Sequence, residues 1–509
     1  MRADPAPPAT RLLARSLAGA LALLLGLAGC TPSEQPPTTT TASPTPTPTP
    51  TPRDFTIGDS GPISTADPAL ATAEADTLIG NAVYQRLMMV LPGTGELRPD
   101  AATDCLFSAE TVYLCTLQEG LAFSNGDALT SSDVKFSIQR ALRLDGPGTS
   151  VPLLGSLKRI DTPDDHTIRF VLNRADNQFG YALAGLATSI VDEETFDPDA
   201  GLSLATPPIG SGPYQVEEIG ADGVTFVRNT AYTGVLIGLI DRIRLAHLPD
   251  SVAAEAAIAD GSVDMVWRTL DDAALQRLGN EIAASPDHTT ATGFTRWSLP
   301  GARVTRLAWS PESSRWQNET LRKGVALALQ RDRTLRSLVP VGVAGTVSAF
   351  AAGGNPELPR IKGKRTILTL GYTPSDPGQG DLASLLRGRI EALDNVSVRL
   401  VTEGSADLWL TDDQPWVNNA IGWLQGYSDA PLPESESVLQ ALQRQVRSTS
   451  GEQRQTALAA LQQQAALDNT VLPVSQDEGI LMVGPGVELV GTVPFGSGGQ
   501  LGLWGIYHG

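Results

Sequence analysis

Gly58-Asp59-Ser60-Gly61-Pro62 sets a serine between an aspartate and a glycine, a frame that elsewhere presents a nucleophile for acyl transfer. Such a serine needs a histidine base and an aspartate that orients it. The chain has only four histidines, His166, His247, His288 and His508. None precedes Ser60, as the order of a chymotrypsin-like triad requires. A strained G-x-S-x-G elbow would pass from a strand into a helix, whereas Gly61-Pro62 leads into a loop. A secreted serine hydrolase is therefore the weakest reading, and Ser60 reads as the exit from a strand into a loop. The histidines also lack metal-ligand spacing. Neither a catalytic residue, a metal nor another cofactor is implied.

The cysteines do different work. Cys105 and Cys115 lie in ATDCLFSAETVYLCTL, a strand, a polar turn and a second strand. Pairing centred on Glu110 sets them opposite each other, so a disulfide is expected. In an exported protein a loop of this size adds about 3 kcal/mol of stability. Cys30 closes a different pattern. Arg11 and Arg15 precede an apolar run from Leu17 to Leu27, and Leu27-Ala28-Gly29-Cys30 resembles a bacterial lipobox. The run is too short for a spanning helix and suits a signal peptide. Residues 1–29 are thus read as a lipoprotein signal, with Cys30 the lipidated residue of the mature chain. Residues 30–54, including TTTTASPTPTPTPTP, cannot collapse and favour extended polyproline II, a stalk above a membrane. The expected location is outside the cytoplasm, on the outer face of the cell membrane.

These features need a folded body to position them. The chain has 509 residues, 41% of them apolar and 18% charged, enough for sizeable cores in two or three domains. A net charge of -19 argues against nucleic acid as a partner. Short β-rich runs alternate with Ala/Leu-rich helical ones. Phe55–Ile57 reads as a strand and Ala71–Val90 as a helix. Thr130-Ser131-Ser132-Asp133 reads as the capped start of another helix, and Leu157–Leu172 as two strands about a Pro-Asp-Asp turn. Helices are expected at Glu319–Leu329 and Gly451–Ala466, and strands at Thr366–Gly371 and Val396–Val401. The fold class is α/β.

Several blocks then occur in a shared order. Leu117-Gln118-Glu119-Gly120-Leu121-Ala122-Phe123-Ser124-Asn125-Gly126, followed by Leu129-Thr130-Ser131-Ser132-Asp133-Val134, resembles the signature of extracellular solute-binding proteins of ABC importers, family 5, the peptide/nickel type. Thr65-Ala66-Asp67-Pro68 is similar to the family's early T-L-D-P, Gly210-Ser211-Gly212-Pro213-Tyr214 to G-T-G-P-Y, and Arg228-Asn229 through Tyr232 to R-N-x-x-Y. Ala257–Asp264 and Leu321–Arg331 match two further blocks, and Gly422-Trp423-Leu424-Gln425-Gly426-Tyr427-Ser428-Asp429-Ala430-Pro431 resembles G-W-x-A-D-Y-x-D-P.

The resemblance implies a two-lobed Venus-flytrap fold of the periplasmic-binding-protein type, with an extra subdomain on the first lobe. By analogy, lobe I takes residues 55–90, 205–300 and 476–509, the extra subdomain 91–204 and lobe II 301–475. It implies a monomer that captures an oligopeptide-like or other polar ligand between its lobes. The ligand then passes to an ABC transporter permease with its ATPase. The same fold without a transporter, as a sensor or envelope interaction protein, is the alternative. Implied ligand contacts are Gly61, Pro62 and Ile63 on the first lobe, facing Trp423, Gln425, Tyr427 and Asp429 on the second. The chain departs from the pattern where the family's ammonium-binding aspartate is replaced by Gly426. A buried ammonium without a carboxylate is costly, so either Asp429 or another acid replaces it, or the ligand has no free amine. Asp429 before Pro431 also suits a turn cap, and Trp423 a core position. The second lobe is short for the family.

Overall fold

Two long strands, paired with each other for most of their length, carry the chain between two halves of one ten-stranded sheet. The computed structural model describes residues 54–509 apart from 93–94, 237, 375, 377, 413–414, 416 and 497–498. The readings made for the signal segment, for Cys30 and for the stalk up to residue 53 lie outside the described residues.

From its start the chain forms β1 (Phe55–Asp59), α1 (Glu74–Val83) and a short hairpin of β2 (Met88–Val90) and β3 (Leu97–Pro99). Next comes a separate antiparallel sheet of β4 (Ala102–Ala109), β5 (Val112–Leu117), β6 (Leu157–Asp161) and β7 (Thr167–Leu172), in the order β4-β5-β7-β6. It is accompanied by α2 (Ser131–Leu144) and the single turn α3 (Phe179–Ala182). The chain rejoins the main sheet through β8 (Tyr214–Gly220), β9 (Gly223–Arg228), β10 (Arg242–His247), α4 (Ser251–Asp260), β11 (Met265–Trp267) and α5 (Asp272–Ala284). The first long strand, β12 (Thr295–Trp309), leads to α6 (Glu319–Ala328), β13 (Thr366–Gly371), α7 (Gln379–Ile390), β14 (Val396–Val401) and β15 (Leu408–Asp412). Three helices follow, α8 (Ala420–Ser428), α9 (Glu436–Ser448) and α10 (Gly451–Asp468), before the second long strand, β16 (Val471–Val483).

The sheet order is β14-β13-β15-β12-β16-β11-β1-β10-β9-β8. Parallel pairs occur where a helix makes the crossover: α7 links β13 to β14, and α4 lies between β10 and β11 on either side of β1. Pairing of β12 with β16 slips between Leu299 and Arg303, across Pro300-Gly301. Proline has no N–H to give the ladder, and Gly301 takes φ 72°, so a bulge bends the pair where it passes from one half to the other. Each half buries its own core. One is built on Ile57, Phe226 and Trp267, the other on Leu307, Val325 and Leu368. A third core, with Tyr113, Ile138, Phe170 and Phe179, fills the four-stranded sheet and also takes in Leu87 and Met88.

Most expected elements are present, and α2 starts with a reciprocal cap. Asp133 Oδ2 accepts from Thr130 N at 2.8 Å, and Thr130 Oγ1 from Ser132 N at 3.2 Å. Cys105 and Cys115 are direct partners in the β4–β5 ladder and are joined by a disulfide. The helix expected over Ala71–Val90 is shorter. It starts at Glu74 and stops at Val83, and Tyr84 is extended. Burial of Leu87 and Met88 in the third core, with Met88 paired to Pro99, overrides local helix preference there.

Candidate functional site

A cavity of about 640 Å³ lies between the two halves of the main sheet. Its first wall begins at the C-terminal end of β1, where the buried Asp59 accepts from Gly61 N through Oδ1 at 2.5 Å. That bond turns the chain sharply after the strand, and Ser60, Gly61 and Pro62 line the cavity as a result. His247 Nδ1 lies 3.2 Å from the Gly61 carbonyl. Glu74, first residue of α1, accepts from Trp267 Nε1 at 2.6 Å and stands 3.4 Å from Arg268 Nε.

Arg268 follows β11 with φ 52°, a left-handed conformation uncommon for a side chain-bearing residue. This conformation accompanies a contact across the cavity: Arg268 Nη2 is bonded to Asp412 Oδ2 at the end of β15. Arg303 Nε reaches the same oxygen at 2.9 Å. Asp412 is 1% exposed, yet among the described residues its Oδ1 has no hydrogen-bond partner, and neither has Arg268 Nη1. The ion pair that spans the two walls thus leaves one donor and one acceptor without a partner among the described residues. Burial pulls the Arg268 guanidinium down, but Glu74 and Asp412 outweigh it and keep the group charged.

The acids nearby are short of positive charge. Burial first, then Glu74, pushes the Asp59 carboxyl up to about 7. Burial and Asp412 push Asp376, on the loop after β13, up to about 6. The second wall is completed by α8. Asn419 caps it, with Oδ1 accepting from Gly422 N at 2.9 Å, and Trp423, Gln425 and Gly426 face the cavity. Trp423 is fixed from both sides, by the Arg306 guanidinium 4.8 Å over its ring and by Asn418 Oδ1 at 2.7 Å from Nε1.

The residues singled out from the sequence fall into two groups. Gly61, Pro62, Trp423 and Gln425 line the cavity together. Ile63 packs against the core of the first half. Tyr427 is 1% exposed and donates to Asp468 Oδ2 at 2.6 Å, and Asp429 bonds Gln425 Nε2, with neither of them on the lining. Glu74, Arg268, Arg303, Asp376 and Asp412 were not singled out. Each belongs to a different segment, and no motif joins them. The one local signal was Gly426, whose missing carboxylate pointed to acids elsewhere. No trio of His, Cys, Asp and Glu side chains among the described residues is grouped to hold a metal ion, and none of the described helices is long and apolar enough to cross a membrane.

Residues 96–377 match the family model described as Bacterial extracellular solute-binding proteins, family 5 Middle. The chain is 24% identical over 369 residues to the Probable D,D-dipeptide-binding periplasmic protein DdpA of Escherichia coli (strain K12), covering 67% of this chain and 68% of that protein. Among solved structures, the ABC transporter-associated periplasmic binding protein DppA from Helicobacter pylori, in complex with peptide STSA, is similar at a TM-score of 0.73 and 17% identity, over 89% of this chain and 98% of that one. The binding protein AgaA from A. tumefaciens R10, in complex with agropinic acid, is similar at a TM-score of 0.74 and 18% identity, again over 89% and 98%. At these identities the two structures establish the fold. It is the two-lobed α/β architecture with an extra subdomain on the first lobe.

Proposed function

The chain belongs to the bacterial extracellular solute-binding proteins of family 5, and on that premise we propose that it closes on a short peptide, or a peptide-like zwitterion, and delivers it to an ABC transporter permease and its ATPase. The observation that carries the ligand class is the Arg268–Asp412 pair. Both residues line the cavity, and Nη1 and Oδ1 leave one donor and one acceptor without a partner among the described residues. A peptide group supplies the complement, a carbonyl for the guanidinium and an N–H for the carboxylate. Asp59, Glu74 and Asp376 give an α-ammonium the carboxylates that Gly426 lacks. The three similar proteins described above are named as binding proteins, in keeping with a cavity that binds without chemistry.

In this reading residues 55–90, 205–300 and 476–509 make lobe I, 91–204 the extra subdomain and 301–475 lobe II. Gly61, Pro62, Trp423 and Gln425 hold the ligand, while Ile63 supports the first wall and Tyr427 and Asp429 the second. The protein acts as a monomer, tethered through lipid on Cys30 to the outer face of the membrane. Native mass spectrometry of the purified protein, followed by calorimetry with di- to tetrapeptides, tests the ligand class. Co-purified peptides with free amines and micromolar or tighter binding are expected. Recovery only of molecules without a peptide bond, together with no heat from any peptide, would sink it.

A further inference from the structure

A second cavity, of about 280 Å³, lies within the second lobe. Three indoles line it, Trp309, Trp316 and Trp409, together with Thr470, Ala430 and Gly426. Two features connect it to the interlobe cavity. Gly426 lines both, and Arg306 and Ala308, two apart on β12, line one each. At Gly426 the partition has no side chain, and a Cβ built there meets nothing within 4 Å. Room for Trp409 is itself provided by a glycine, because a Cβ on Gly371 would lie 2.6 Å from its ring.

Three polar atoms of the lining residues are unmatched. Trp309 Nε1, Trp316 Nε1 and Thr470 Oγ1 are buried without a hydrogen-bond partner among the described residues. Their residues are 3%, 8% and 3% exposed. Buried donors of this kind are normally satisfied, so three on one cavity call for an acceptor from outside the chain. No ionisable residue is among the described residues that line the pocket, which makes a charged occupant costly. At this volume, just below the range of about 300–1,000 Å³ for whole-ligand sites, it holds one group rather than a complete ligand.

We infer that this pocket receives an uncharged aromatic side chain of the ligand held between the lobes, one that carries an oxygen acceptor, as tyrosine does. The ring packs against the three indoles, and the oxygen accepts from the unpartnered N–H of Trp309 or Trp316. Entry is past Gly426, so the residue that removes the family's carboxylate also opens the way. The inference rests on the peptide reading of the interlobe cavity, and two measurements keep their failures apart.

The first is calorimetry with Ala-Ala-Ala and with the three tripeptides that carry one tyrosine, on the wild type, Gly426→Leu and Trp409→Ala. Leu is a better helix former than Gly, and the open space at this position lets α8 fold. The wild type should prefer one tyrosine peptide, and both substitutions should shrink that preference about tenfold or more. A preference absent in the wild type, or unchanged in Gly426→Leu, overturns the inference and leaves the peptide reading standing. The second measurement uses p-cresol alone, followed by saturation-transfer NMR and quenching of tryptophan fluorescence. If the protein binds no peptide, the peptide reading falls by itself and p-cresol decides. Binding lost in Gly426→Leu upholds the pocket, and no binding to the wild type overturns it.

Discussion

Arg447 Nη1 lies 2.9 Å from Oδ2 of Asp176, a direct contact between two segments that do not line the ligand cavity. Arg447 is in the last turn of α9 in the second lobe, and the fully buried Asp176 follows β7 in the extra subdomain. The contact is reinforced around them. Asn177 N donates to the Arg447 carbonyl at 3.0 Å, Asn177 Nδ2 to the Thr449 carbonyl at 2.6 Å, and Asn419 Nδ2 to Gln178 Oε1 at 3.3 Å. Together with Arg268–Asp412, this clasp holds the lobes at two separate points.

Breaking the clasp should therefore loosen closure without touching the ligand. Truncating one partner of a buried pair costs about 3 kcal/mol, because the other charge is left uncompensated. Arg447→Ala should enlarge the radius of gyration of the ligand-free protein in small-angle scattering. It should also speed ligand release about tenfold or more in stopped flow. If neither quantity moves, the contact does not hold the lobes.

A second pair bears on folding rather than closure. Asp67 of the Thr65–Pro68 block is fully buried against Arg140 of α2, with Oδ1 3.0 Å from Nη1 and Oδ2 2.5 Å from Nη2. Asp67 also accepts from Ala69 N and Leu202 N. Asp67→Ala would strand the Arg140 guanidinium in the core, so a loss of about 3–5 kcal/mol is expected in urea unfolding. A loss under about 1 kcal/mol would show that Arg140, also bonded to the Asp197 and Ala200 carbonyls, needs no carboxylate.

This pair explains which parts of the molecule were legible in the sequence. The recurring blocks are largely packing devices that a local pattern can encode. Gly212 must be glycine because a Cβ would lie 2.5 Å from the Val83 backbone, and Tyr214 donates to the Ile240 carbonyl at 3.0 Å. The disulfide followed from hairpin pairing, and α2 from its cap. The cavity charges were not legible, because Glu74, Arg268, Asp376 and Asp412 come from four segments that meet only after the sheet is assembled. Tyr427 and Asp429 belong to the same block, but Tyr427, one turn after Trp423 on α8, is buried on Asp468, and Asp429 at the helix C-cap bonds Gln425, so only Trp423, Gln425 and Gly426 of that segment reach the cavity.

Cavity charge also predicts a pH dependence. The Asp59 and Asp376 carboxyls, at about 7 and about 6 in the folded protein, have an ordinary value of 3.8. Their folded pKa values are raised, so the folded state holds these protons more tightly than the unfolded state does. Their contribution to stability is full below about 4 and is lost as pH rises through about 6 and 7. Relative to Asp59→Asn, the ligand-free wild type should thus lose thermal stability between pH 5 and about 7.5. An ammonium ligand reverses the preference by favouring the ionised carboxylate, so affinity should rise over the same window with proton release on binding. Calorimetry in buffers of different ionisation enthalpy reads that release directly. Equal affinity at pH 5 and pH 7 would remove Asp59 from ammonium recognition.

The Cys105–Cys115 bridge should matter for stability and not for ligand. It ties β4 to β5 at directly paired positions, and Cys115 is fully buried beneath an otherwise exposed outer strand. A short loop closed in this way stabilises by about 2–3 kcal/mol, chiefly by restricting the unfolded chain. Reduction, or Cys105→Ser with Cys115→Ser, should lower the unfolding free energy in urea by that amount, with a lower midpoint. Peptide affinity should stay within about twofold, because neither cysteine lines the interlobe cavity. An unchanged midpoint under reductant would mean that the β5–β7 pairing and the core around Phe170 already hold the sheet without the bridge.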